Sequence, residues 1–356
     1  MKIDLIIGSL QGGGAERVVC VLANYFASVG YEVSVITFAD GDKFELDDAV
    51  KRVRLHKKLP LADYTLSRGF FNLLRYYWKK KNRPDVISSH ISRVGLVTIP
   101  IAKLYGIKVI SSEHINHTHA IYNFTKKIIW DFLYKFVDAV TILTHYDMEF
   151  FKKRSSKVVV MPNPSSFKPL EEQNLSREKV IVAIGSLDRY HHKGLDNLID
   201  IGKNLHEKHP DWKLRIIGEG EVGRQFLEKK IFELGLGDFI TLVGYRSDVK
   251  DILTNSSIFV LSSRFEGLPM ALIEATSQGI ACISYNCVSG PSDIIEDGVN
   301  GLLIEDQNHS EMTKGIISLI ENEELRRRLG DNAILASQKF SLERVGKQWE
   351  DLISNL

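Results

Sequence analysis

The chain has 356 residues, of which 44% are hydrophobic and 26% are charged, and its formal net charge is +1. This composition excludes disordered and fibrous proteins, and the length predicts about two domains. Three scattered cysteines form no metal-ligand cluster and indicate free thiols in a reducing cytoplasm. Because no run of about 18 apolar residues occurs, we expect no membrane-spanning helix.

The charge is unevenly distributed between the two halves of the chain. Residues 1–170 contain 25 Lys and Arg against 15 Asp and Glu, whereas residues 171–356 contain 21 against 30. A basic first half predicts contact with an anionic partner, for which nucleic acid, anionic lipid or a phosphorylated acceptor would serve. The alternative is two solvated surfaces that differ in charge without any functional meaning.

Short β-branched segments alternate with amphipathic segments, which predicts parallel sheets with helices on both faces. In the first half we expect strands at 3–9, 32–39, 85–90, 108–114, 139–144 and 157–162, with a helix at 14–30. In the second half we expect strands at 179–186, 212–220, 240–245, 257–263 and 281–286, with helices at 194–209 and 226–236.

The segment MPNPSSFKPL (161–170) has three prolines and separates these two series, so it is the best candidate for a linker. We therefore predict two doubly wound, Rossmann-like α/β domains, 1–165 and 170–340. The last helix, 342–356, is long enough to cross back to the first domain. Ligands of such sheets bind at the carboxyl ends of strands, so a cleft between the two domains is the expected site.

The first candidate for chemistry is GSLQGGGAERVV (8–19), where a strand ends in three glycines and a helix begins. Glycines allow the backbone to approach an anion, and the N–H groups at a helix start favour negative charge. Gly13, Gly14 and Arg17 are the residues expected to contribute. No Gly-Lys-Ser/Thr follows, so this is not a Walker loop, and a tight turn between strand and helix is the structural alternative.

Two further segments contain cations or histidines beside a strand end. GSLDRYHHKGLDNL (185–198) offers Arg189 and Lys193, which could clamp a diphosphate, or could belong to a solvated basic loop. SSEHINHTHA (111–120) has three histidines, but their spacing favours His114 facing the cleft alone over a zinc site. The Gly-x-Gly-x-x-Gly of IIGEGEVG (216–223) lacks the acid at the next strand end that dinucleotide binding requires, so a glycine-rich turn is preferred.

The segment SSRFEGLPMALIEA (262–275) predicts a strand end, a tight turn and a helix. Glu266 would lie in the turn and Glu274 inside the helix. A helix start at Gly267–Met270 would present N–H groups to a phosphate, and carboxylates are good acceptors for paired sugar hydroxyls. A nucleotide-sugar, with hydroxyls at both ends and phosphates between, would use all of these groups.

With these motifs together, the chain resembles the retaining GT-B glycosyltransferases of glycosyltransferase family 4 over nearly its whole length. Glu266 and Glu274 match the E-x7-E motif of that family, and GGGAER matches its glycine-rich loop. SEH matches the position of its N-domain histidine, MPNP its entry into the second domain, and HKG its phosphate-contacting lysine. SSRFEGLPMALIEA with SGPSDII (289–295) is most similar to the bacterial surface-polysaccharide branch.

The resemblance implies a role for each matched residue. Glu274 would bind the ribose hydroxyls, Glu266 the donor sugar, and Lys193 the diphosphate. His114 would lie beside the reacting sugar, so His114, Glu266 and Lys193 are the catalytic candidates. The backbone that would help to hold the diphosphate is that of Gly13, Gly14, Gly267, Leu268, Pro269 and Met270.

The resemblance also has one departure, because the arginine that the family often places directly after the glycine is Ser186 here. Arg189 is the candidate to replace its charge from a different position. Members of the family need no divalent metal, and this chain has no Asp-x-Asp motif, so no metal and no cofactor are expected.

The expected function is transfer of a hexose or N-acetylhexosamine from a UDP-sugar to a lipid-linked, phosphorylated or surface-polysaccharide acceptor, with retention of configuration. Domain 1–165 would bind the acceptor and domain 170–340 the donor. A GT-B-shaped sugar-nucleotide epimerase, a phosphorylase and a non-catalytic sugar-nucleotide-binding subunit are the alternatives.

Two segments combine aromatic and basic residues, FFNLLRYYWKKKNR (70–83) and YNFTKKIIWDFLYKFV (122–137). Such amphipathic helices can lie on an anionic membrane, or can belong to an ordinary core. A fold that reads bases is absent, so nucleic acid is not an expected partner. The expected location is the cytoplasm, with peripheral binding to the inner face of the plasma membrane.

Overall fold

A computed structural model describes residues 1–57, 65–120, 122–171 and 175–356 of the chain. It divides into two compact units: the first unit is Met1–Pro164 with Leu342–Leu356, and the second unit is Ser165–Ser341. Each unit contains one parallel sheet covered by helices, so the prediction of two doubly wound, Rossmann-like α/β domains is confirmed.

The sheet of the first unit has seven strands among the described residues, in the order β3-β2-β1-β4-β5-β6-β7, and every neighbouring pair is parallel. These strands are β1 (Lys2–Ile7), β2 (Glu32–Thr37), β3 (Lys51–Arg54), β4 (Val86–His90), β5 (Lys108–Ser112), β6 (Ala139–Ile142) and β7 (Val158–Val160).

The sheet of the second unit has six strands in the described part of the chain, in the order β10-β9-β8-β11-β12-β13, again all parallel. These strands are β8 (Glu178–Ile184), β9 (Lys213–Ile217), β10 (Ile240–Gly244), β11 (Ser256–Leu261), β12 (Ala281–Tyr285) and β13 (Leu302–Ile304). Sequence analysis missed β3 and β13, which are edge strands of four and three residues, too short for a periodicity to be read.

The helices follow the strands in chain order. Those before the last segment are α1 (Gly14–Ser28), α2 (Thr65–Trp78), α3 (Gly95–Tyr105), α4 (Phe124–Lys127), α5 (Met148–Lys152), α6 (Tyr190–Lys193), α7 (Leu195–Lys208), α8 (Glu221–Glu233), α9 (Val249–Asn255), α10 (Met270–Ser277), α11 (Pro291–Ile294), α12 (His309–Glu321) and α13 (Glu323–Ser337). In the described parts of the chain, no helix combines the length and the apolar character that crossing a bilayer requires.

The C-terminal helix α14 (Leu342–Ser354) belongs to the first unit and packs on α1. Tyr25 Oη donates a 2.6 Å hydrogen bond to Glu350 Oε1. Gly346 lies so close to the Tyr25 ring that a Cβ at this position would come within 2.3 Å of it. The bare backbone of Gly346 therefore allows the two helices to approach.

The segment 122–137 is helical but is not the continuous amphipathic α-helix that its sequence predicts. After the short α4, residues Ile128–Phe132 form a π-helical turn and Leu133–Phe136 a 3₁₀ turn. Trp130 and Tyr134 are fully buried, and both donate to the carboxylate of Glu113. These buried contacts, rather than helical periodicity, determine which side chains of the segment face inward.

The sheet of the first unit buries one carboxylate, Asp4, in the middle of β1. Tyr77 Oη donates a 2.7 Å hydrogen bond to Asp4 Oδ2. Burial nevertheless raises the pKa of Asp4 to about 6, because the charged form is poorly solvated there. The folded protein thus retains a proton that the unfolded chain releases, so stability falls as the pH rises from about 4 to about 6 and the penalty persists above that range.

We predict that Asp4→Asn removes this penalty. The difference in unfolding free energy between the variant and wild type should grow in favour of the variant by about 1 kcal/mol from about pH 5 to about pH 8. The reason is that the Asp4 carboxyl of the wild type ionises over that interval. Urea unfolding of both proteins at the two pH values measures the gain. A difference between the proteins that is the same at both pH values would contradict the raised pKa.

Candidate active site

The candidate residues of each sheet follow strands that lie at, or next to, the point where the strand order reverses. In the first unit, chain order turns at β1 and β4, and in the second unit at β8 and β11. A crevice forms at the carboxyl ends of strands at such a point, and ligands of doubly wound sheets bind there. The segments after β1, β5, β8 and β11 contain the predicted site residues, so each sheet presents them at its carboxyl edge.

In the second unit, Glu266 lies in the turn between β11 and α10, and its side chain is 8% exposed. Lys193 Nζ donates to Glu266 Oε1 at 2.7 Å, and Ser263 Oγ donates to the same oxygen at 2.6 Å. Burial alone would raise the pKa of Glu266, but the Lys193 ammonium and these hydrogen bonds outweigh it and hold the pKa below its ordinary value. Glu266 is therefore a carboxylate at neutral pH.

Lys193 is held beside Glu266 by a close packing of two loops. It is the last residue of the short helix α6, and Gly194 follows in the left-handed conformation, with φ of 63°. A Cβ on Gly194 would stand 1.9 Å from the carbonyl oxygen of Ser262. Ser262 Oγ donates to the Lys193 carbonyl at 2.9 Å, and Arg264 N donates to the His192 carbonyl at 2.9 Å. The loops after β8 and β11 are thus joined at the candidate site.

Gly194→Ala is expected to destabilise the second unit far more than Gly235→Ala. Both glycines have left-handed backbones, with φ of 63° and 67°, but nothing lies within 4 Å of a Cβ on Gly235. Each variant carries the left-handed penalty of about 1–2 kcal/mol. Only Gly194→Ala adds the steric clash with Ser262, which we expect to cost about 2 kcal/mol more. Urea unfolding measures both, and equal losses would contradict the packing described here.

Arg189, the candidate replacement for the arginine missing at Ser186, is exposed and contacts His192. Its Nη2 is 2.7 Å from His192 Nδ1, and the His192 ring packs on Phe265 with centroids 3.8 Å apart. Burial lowers the pKa of His192 to about 4, with help from the cations Arg189 and Lys193. His192 is therefore neutral at neutral pH and accepts a hydrogen bond from Arg189, which brings a cation to the loop that carries Lys193.

Sequence analysis missed a second ion pair in these loops. Arg264 donates from Nη1 and Nη2 to the two carboxylate oxygens of Asp196, at 2.8 and 3.0 Å. This two-bond geometry is rigid, so it fixes the start of α7 against the turn that contains Glu266. The spacing of Arg264 and Asp196 in the sequence gives no signal of the contact.

Glu274 lies in the second turn of α10 and is only 2% exposed, four residues after the helix begins at Met270. The residue before the helix, Pro269, has no N–H, so of the backbone predicted to hold the diphosphate, Gly267, Leu268 and Met270 can donate but Pro269 cannot. Pro269 can therefore contribute no hydrogen-bond donor to a phosphate. The expectation of donors along the whole of Gly267–Met270 is corrected to that extent.

The turn between Glu266 and α10 is supported from outside by the segment SGP. Ser289 Oγ donates to the carbonyl of Glu266 at 3.1 Å. Gly290 has φ of 95°, and a Cβ there would stand 2.6 Å from the Gly267 carbonyl oxygen. Ser289 and Gly290 thus support the turn that contains Glu266 and Gly267.

The three glycines of the Gly-x-Gly-x-x-Gly segment lie against protein backbone. A Cβ on Gly218 would stand 1.8 Å from the Gly185 carbonyl oxygen, and one on Gly223 would stand 1.8 Å from that of Leu187. Asp188 Oδ1 also accepts a 2.9 Å hydrogen bond from Gly223 N. These glycines allow the loop after β9 to pack on the loop after β8, which accounts for the motif without a dinucleotide.

In the first unit, α1 begins at Gly14 with Gly13 as its N-cap, and Gly12–Gly14 are exposed. Arg17 lies in the first turn of α1. Two charged neighbours were not predicted: a Cβ on Gly13 would stand 2.5 Å from Glu16 Oε2, and one on Gly12 would stand 2.9 Å from the Lys43 side chain. The loop therefore has a second cation nearby, and its own carboxylate lies at the helix start where a phosphate would bind.

His114 follows β5, and a buried histidine stands behind it. His114 Nε2 is 2.9 Å from His90 Nδ1, and His90 Nε2 is 3.0 Å from Ser88 Oγ. Burial lowers the pKa of His114 to about 4 and that of His90 well below its ordinary value. Both rings are therefore neutral at neutral pH. Sequence analysis did not select His90, although Ser88 and His90 share one face of β4 by the period of a strand.

The residue before His114, Glu113, anchors this segment from within the core. Its carboxylate accepts hydrogen bonds from Ser92 Oγ at 2.6 Å, from Trp130 Nε1 at 2.9 Å, and from Tyr134 Oη. Burial raises the pKa of Glu113, although these donors partly offset the effect. These hydrogen bonds fix Glu113 and thereby position the backbone of the next residue, His114.

The other histidines of the 111–120 segment do not join His114 at a common centre. His117 Nδ1 is 2.6 Å from Asp147 Oδ1, and the His117 ring stacks on Phe150 with centroids 4.2 Å apart. Within residues 1–57, 65–120, 122–171 and 175–356, no group of three or more His, Cys, Asp or Glu side chains is arranged to hold a metal ion.

The two aromatic and basic segments of the first unit each bury one set of side chains and expose another. Leu73 and Tyr77 of α2 are buried, whereas Phe71 and Trp78 are exposed. In 122–137 the exposed aromatic residues are Tyr122, Phe124, Phe132 and Phe136. Both segments pack on α3, and Lys79–Lys81 are exposed beside Trp78. We call these exposed side chains the aromatic–basic surface.

Two family descriptions cover most of the chain: "Glycosyltransferase Family 4" matches residues 12–165 and "Glycosyl transferases group 1" matches residues 167–335. The boundary between the two matches lies in the proline-rich segment. Both halves of the chain are thus recognised, each by a description of a sugar-transferring enzyme.

Relatives of named activity match over the whole length. The chain is 30% identical over 373 residues to the Campylobacter jejuni protein named GalNAc-α-(1→4)-GalNAc-α-(1→3)-diNAcBac-PP-undecaprenol α-1,4-N-acetyl-D-galactosaminyltransferase, covering 100% of this chain and 99% of the relative. It is 28% identical over 365 residues to the amylovoran biosynthesis glycosyltransferase AmsD of Erwinia amylovora, covering 98% of each.

Among solved structures, HepE of Anabaena in complex with UDP-glucose superposes with a TM-score of 0.84 at 20% identity, and the match covers 100% of both chains. At that identity the likeness shows a shared fold. It agrees with the two parallel sheets described above.

Proposed function

Because the chain belongs to the GT-B glycosyltransferases of glycosyltransferase family 4, we propose that it transfers a hexose or N-acetylhexosamine from a UDP-sugar to a lipid-linked or surface-polysaccharide acceptor, with retention of configuration. The observation that carries the proposal is the Lys193–Glu266 pair, 2.7 Å apart at the carboxyl edge of the second sheet, with Glu274 buried in the following helix. A cation and two carboxylates thus belong to the adjacent segments after β8 and β11.

Each of these groups fits one part of a UDP-sugar. The Glu274 carboxylate can accept from two ribose hydroxyls, and the ionised Glu266 can accept from hydroxyls of the sugar. The Lys193 ammonium can stabilise the diphosphate as it gains negative charge on leaving, which lowers the barrier to transfer. Arg189, through its contact with His192, and Arg17 in the first unit supply further positive charge.

The first unit would supply the group beside the reacting sugar. His114 is partly exposed at the carboxyl edge of the sheet and is neutral at neutral pH, so it can exchange hydrogen bonds with sugar hydroxyls without charging. No metal ion takes part in this proposal, because Lys193 and the backbone N–H groups of Gly267, Leu268 and Met270 would neutralise the diphosphate.

The names of the relatives support the donor and acceptor classes. The Campylobacter relative is named for an undecaprenol diphosphate-linked glycan and for N-acetylgalactosamine, and the Erwinia relative for amylovoran biosynthesis. The structure of the neighbour HepE is a complex with UDP-glucose. These names favour a UDP-hexose or UDP-N-acetylhexosamine as donor and a glycan on a lipid diphosphate as acceptor.

UDP release tests the proposal. Purified protein is incubated with a panel of UDP-sugars, with and without a lipid extract of the host membrane. We expect release from one donor that depends on the lipid, and an equatorial anomeric proton in the transferred sugar where the donor is an α-linked hexopyranose. Release that is lipid-independent and yields a changed hexose would instead indicate an epimerase. Binding of UDP without release from any donor, with any lipid, would indicate a binding subunit.

We further propose that the aromatic–basic surface binds an anionic membrane at the cytoplasmic face, where a lipid-linked acceptor would be presented. Exposed aromatic rings can enter the headgroup region, and each lysine near an anionic surface contributes about 1 kcal/mol. Neutralising Lys79, Lys80 and Lys81 together should weaken binding to phosphatidylglycerol vesicles about tenfold or more, and added salt should have the same direction of effect.

The matched control is neutralisation of three exposed lysines of the second unit, Lys203, Lys208 and Lys229, which should leave vesicle binding unchanged. Co-sedimentation with vesicles of increasing phosphatidylglycerol content measures both variants. Equal weakening by the two sets of changes would show that net charge, rather than this surface, determines binding.

A further inference from the structure

A series of hydrogen bonds links β4 to His114, and all its donors point the same way along the series. Its members are Ser88 Oγ, both ring nitrogens of His90, and His114 Nε2, at successive distances of 3.0 and 2.9 Å. Ser88 and His90 are buried, 1% and 0% exposed, and His114 is partly exposed. A neutral imidazole has one donor and one acceptor nitrogen, so the position of one proton fixes all the others.

Two arrangements of protons are possible along this chain. In one, Ser88 donates to His90 Nε2, His90 donates from Nδ1 to His114 Nε2, and His114 keeps its proton on Nδ1. In the other, every bond is reversed, so that His114 donates from Nε2 and His90 donates to Ser88 Oγ. The second leaves the Ser88 hydroxyl proton needing another acceptor.

Ser88 provides the deciding constraint. Within the described residues, its hydroxyl has a single hydrogen-bond partner, which is His90 Nε2. A buried hydroxyl proton without an acceptor is costly, so Ser88 must donate to His90. Only the first arrangement gives every buried donor and acceptor in the series Ser88–His90–His114 a partner. It leaves Nδ1–H of His114 directed away from the chain, and Nδ1 makes no hydrogen bond with any described residue.

We propose that His90 is a positioning residue which, with Ser88, holds His114 as its Nδ1–H tautomer, so that His114 meets a hydroxyl oxygen of the donor sugar as a hydrogen-bond donor. The role at the sugar rests on the proposed function, whereas the tautomer does not. From its position alone, His114 could either donate a hydrogen bond to a sugar hydroxyl or accept one from it. The Nδ1–H tautomer makes it the donor. In many active sites, a residue behind a histidine determines by its hydrogen bond which ring nitrogen of that histidine bears the proton.

The neighbouring contacts keep the His90 ring in place. The Trp349 ring of α14 lies 6.2 Å from it between centroids, and the His90 and His114 rings lie 5.2 Å apart. Glu113, next to His114, is held by Ser92, Trp130 and Tyr134 and so fixes the backbone from the other side. Both rings are thus restrained, and a change of tautomer need not move either of them.

Long-range ¹H–¹⁵N NMR of the full chain labelled with ¹⁵N-histidine tests the tautomer directly. The chain has 11 histidines, and comparison with His114→Ala and His90→Asn identifies the two signals of interest. We expect His114 to bear its proton on Nδ1 at neutral pH, with Nε2 unprotonated. Protonation of His114 on Nε2 in the wild type would overturn the proposal, whatever the protein's activity.

Variants of Ser88 separate positioning from mere packing. Ser88→Ala removes the hydroxyl proton that orders the chain, so the Nε2–H form of His114 should appear and kcat should fall about tenfold with little change in the donor KM. Ser88→Thr keeps the hydroxyl and should restore both tautomer and kcat. Ser89→Ala, at the neighbouring buried serine whose Oγ accepts from Thr98, should leave both as in wild type.

The two readouts distinguish the possible failures. If Ser88→Ala shifts the tautomer but kcat is unchanged, His114 does not act as a donor at the sugar and that half of the proposal is overturned. If the wild type transfers no sugar at all, the proposed function fails, yet the NMR spectrum still decides the tautomer.

Discussion

Lys193→Met should lower kcat for sugar transfer by about a thousandfold, because one preorganised charge at a leaving group contributes on that scale. The Lys193 ammonium lies 2.7 Å from Glu266 Oε1 and the Lys193 side chain is 20% exposed, so the ammonium is already positioned before a donor binds. As the diphosphate leaves, it gains negative charge that this cation can stabilise in a partly desolvated site. We expect a smaller effect on the donor KM, since the gain is greatest in the transition state.

The loss of Lys193 also leaves Glu266 buried without its cation, which should raise the pKa of Glu266 and destabilise the second unit. Glu266→Gln in the same chain removes that buried charge, so the double variant should recover stability but not kcat. Lys203→Met, an exposed lysine on α7, is the matched control and should retain wild-type kcat. Steady-state kinetics that show Lys193→Met within about threefold of wild type would exclude the leaving-group role.

Glu274→Gln is the second change with a large expected effect, and it should weaken UDP binding about a hundredfold. The substitution keeps the shape of a side chain that is only 2% exposed and removes its charge. Hydrogen bonds to a charged acceptor contribute about 1.5–3 kcal/mol each, and a carboxylate can accept from both ribose hydroxyls. Losing the charge should therefore cost about 3 kcal/mol of binding free energy.

Isothermal titration calorimetry with UDP measures this loss. Glu233→Gln, at the end of α8, is an exposed control that should bind UDP as wild type does. Titration with uridine should show the same ratio between wild type and Glu274→Gln, because the ribose is common to both ligands. An unchanged affinity for UDP would place the ribose elsewhere.

The alternation of strands and helices was sufficient to predict both Rossmann-like domains, because buried parallel strands produce apolar runs that are easily recognised. The elements that the sequence did not predict depend on tertiary contacts. β3 consists of KRVR at a sheet edge, and β13 of three residues, so neither has a period to detect. In 122–137, bonds from Trp130 and Tyr134 to Glu113 accompany π and 3₁₀ turns that periodicity does not predict.

In the candidate site too, local motifs predicted individual residues, whereas the contacts between them depend on the fold. Lys193 and Glu266 were both selected from local motifs, but their direct contact joins residues 73 positions apart. That contact depends on the packing of Gly194 against Ser262, which no local pattern encodes. His90 could have been selected, since it ends a strand two residues after Ser88 on the same face, and β4 and β5 are neighbours in the sheet. The distance that makes it important, 2.9 Å to His114, required the structure.

The most direct test of sugar transfer from a UDP-sugar is incorporation of label. Protein is incubated with UDP-sugars labelled in the hexose, together with a lipid extract of the host membrane, and label in the organic phase is followed beside Glu274→Gln. We predict that one UDP-sugar transfers its label to lipid in the wild type and that the variant loses this transfer. No label in lipid from any UDP-sugar, by a wild-type protein that binds UDP, would contradict the account.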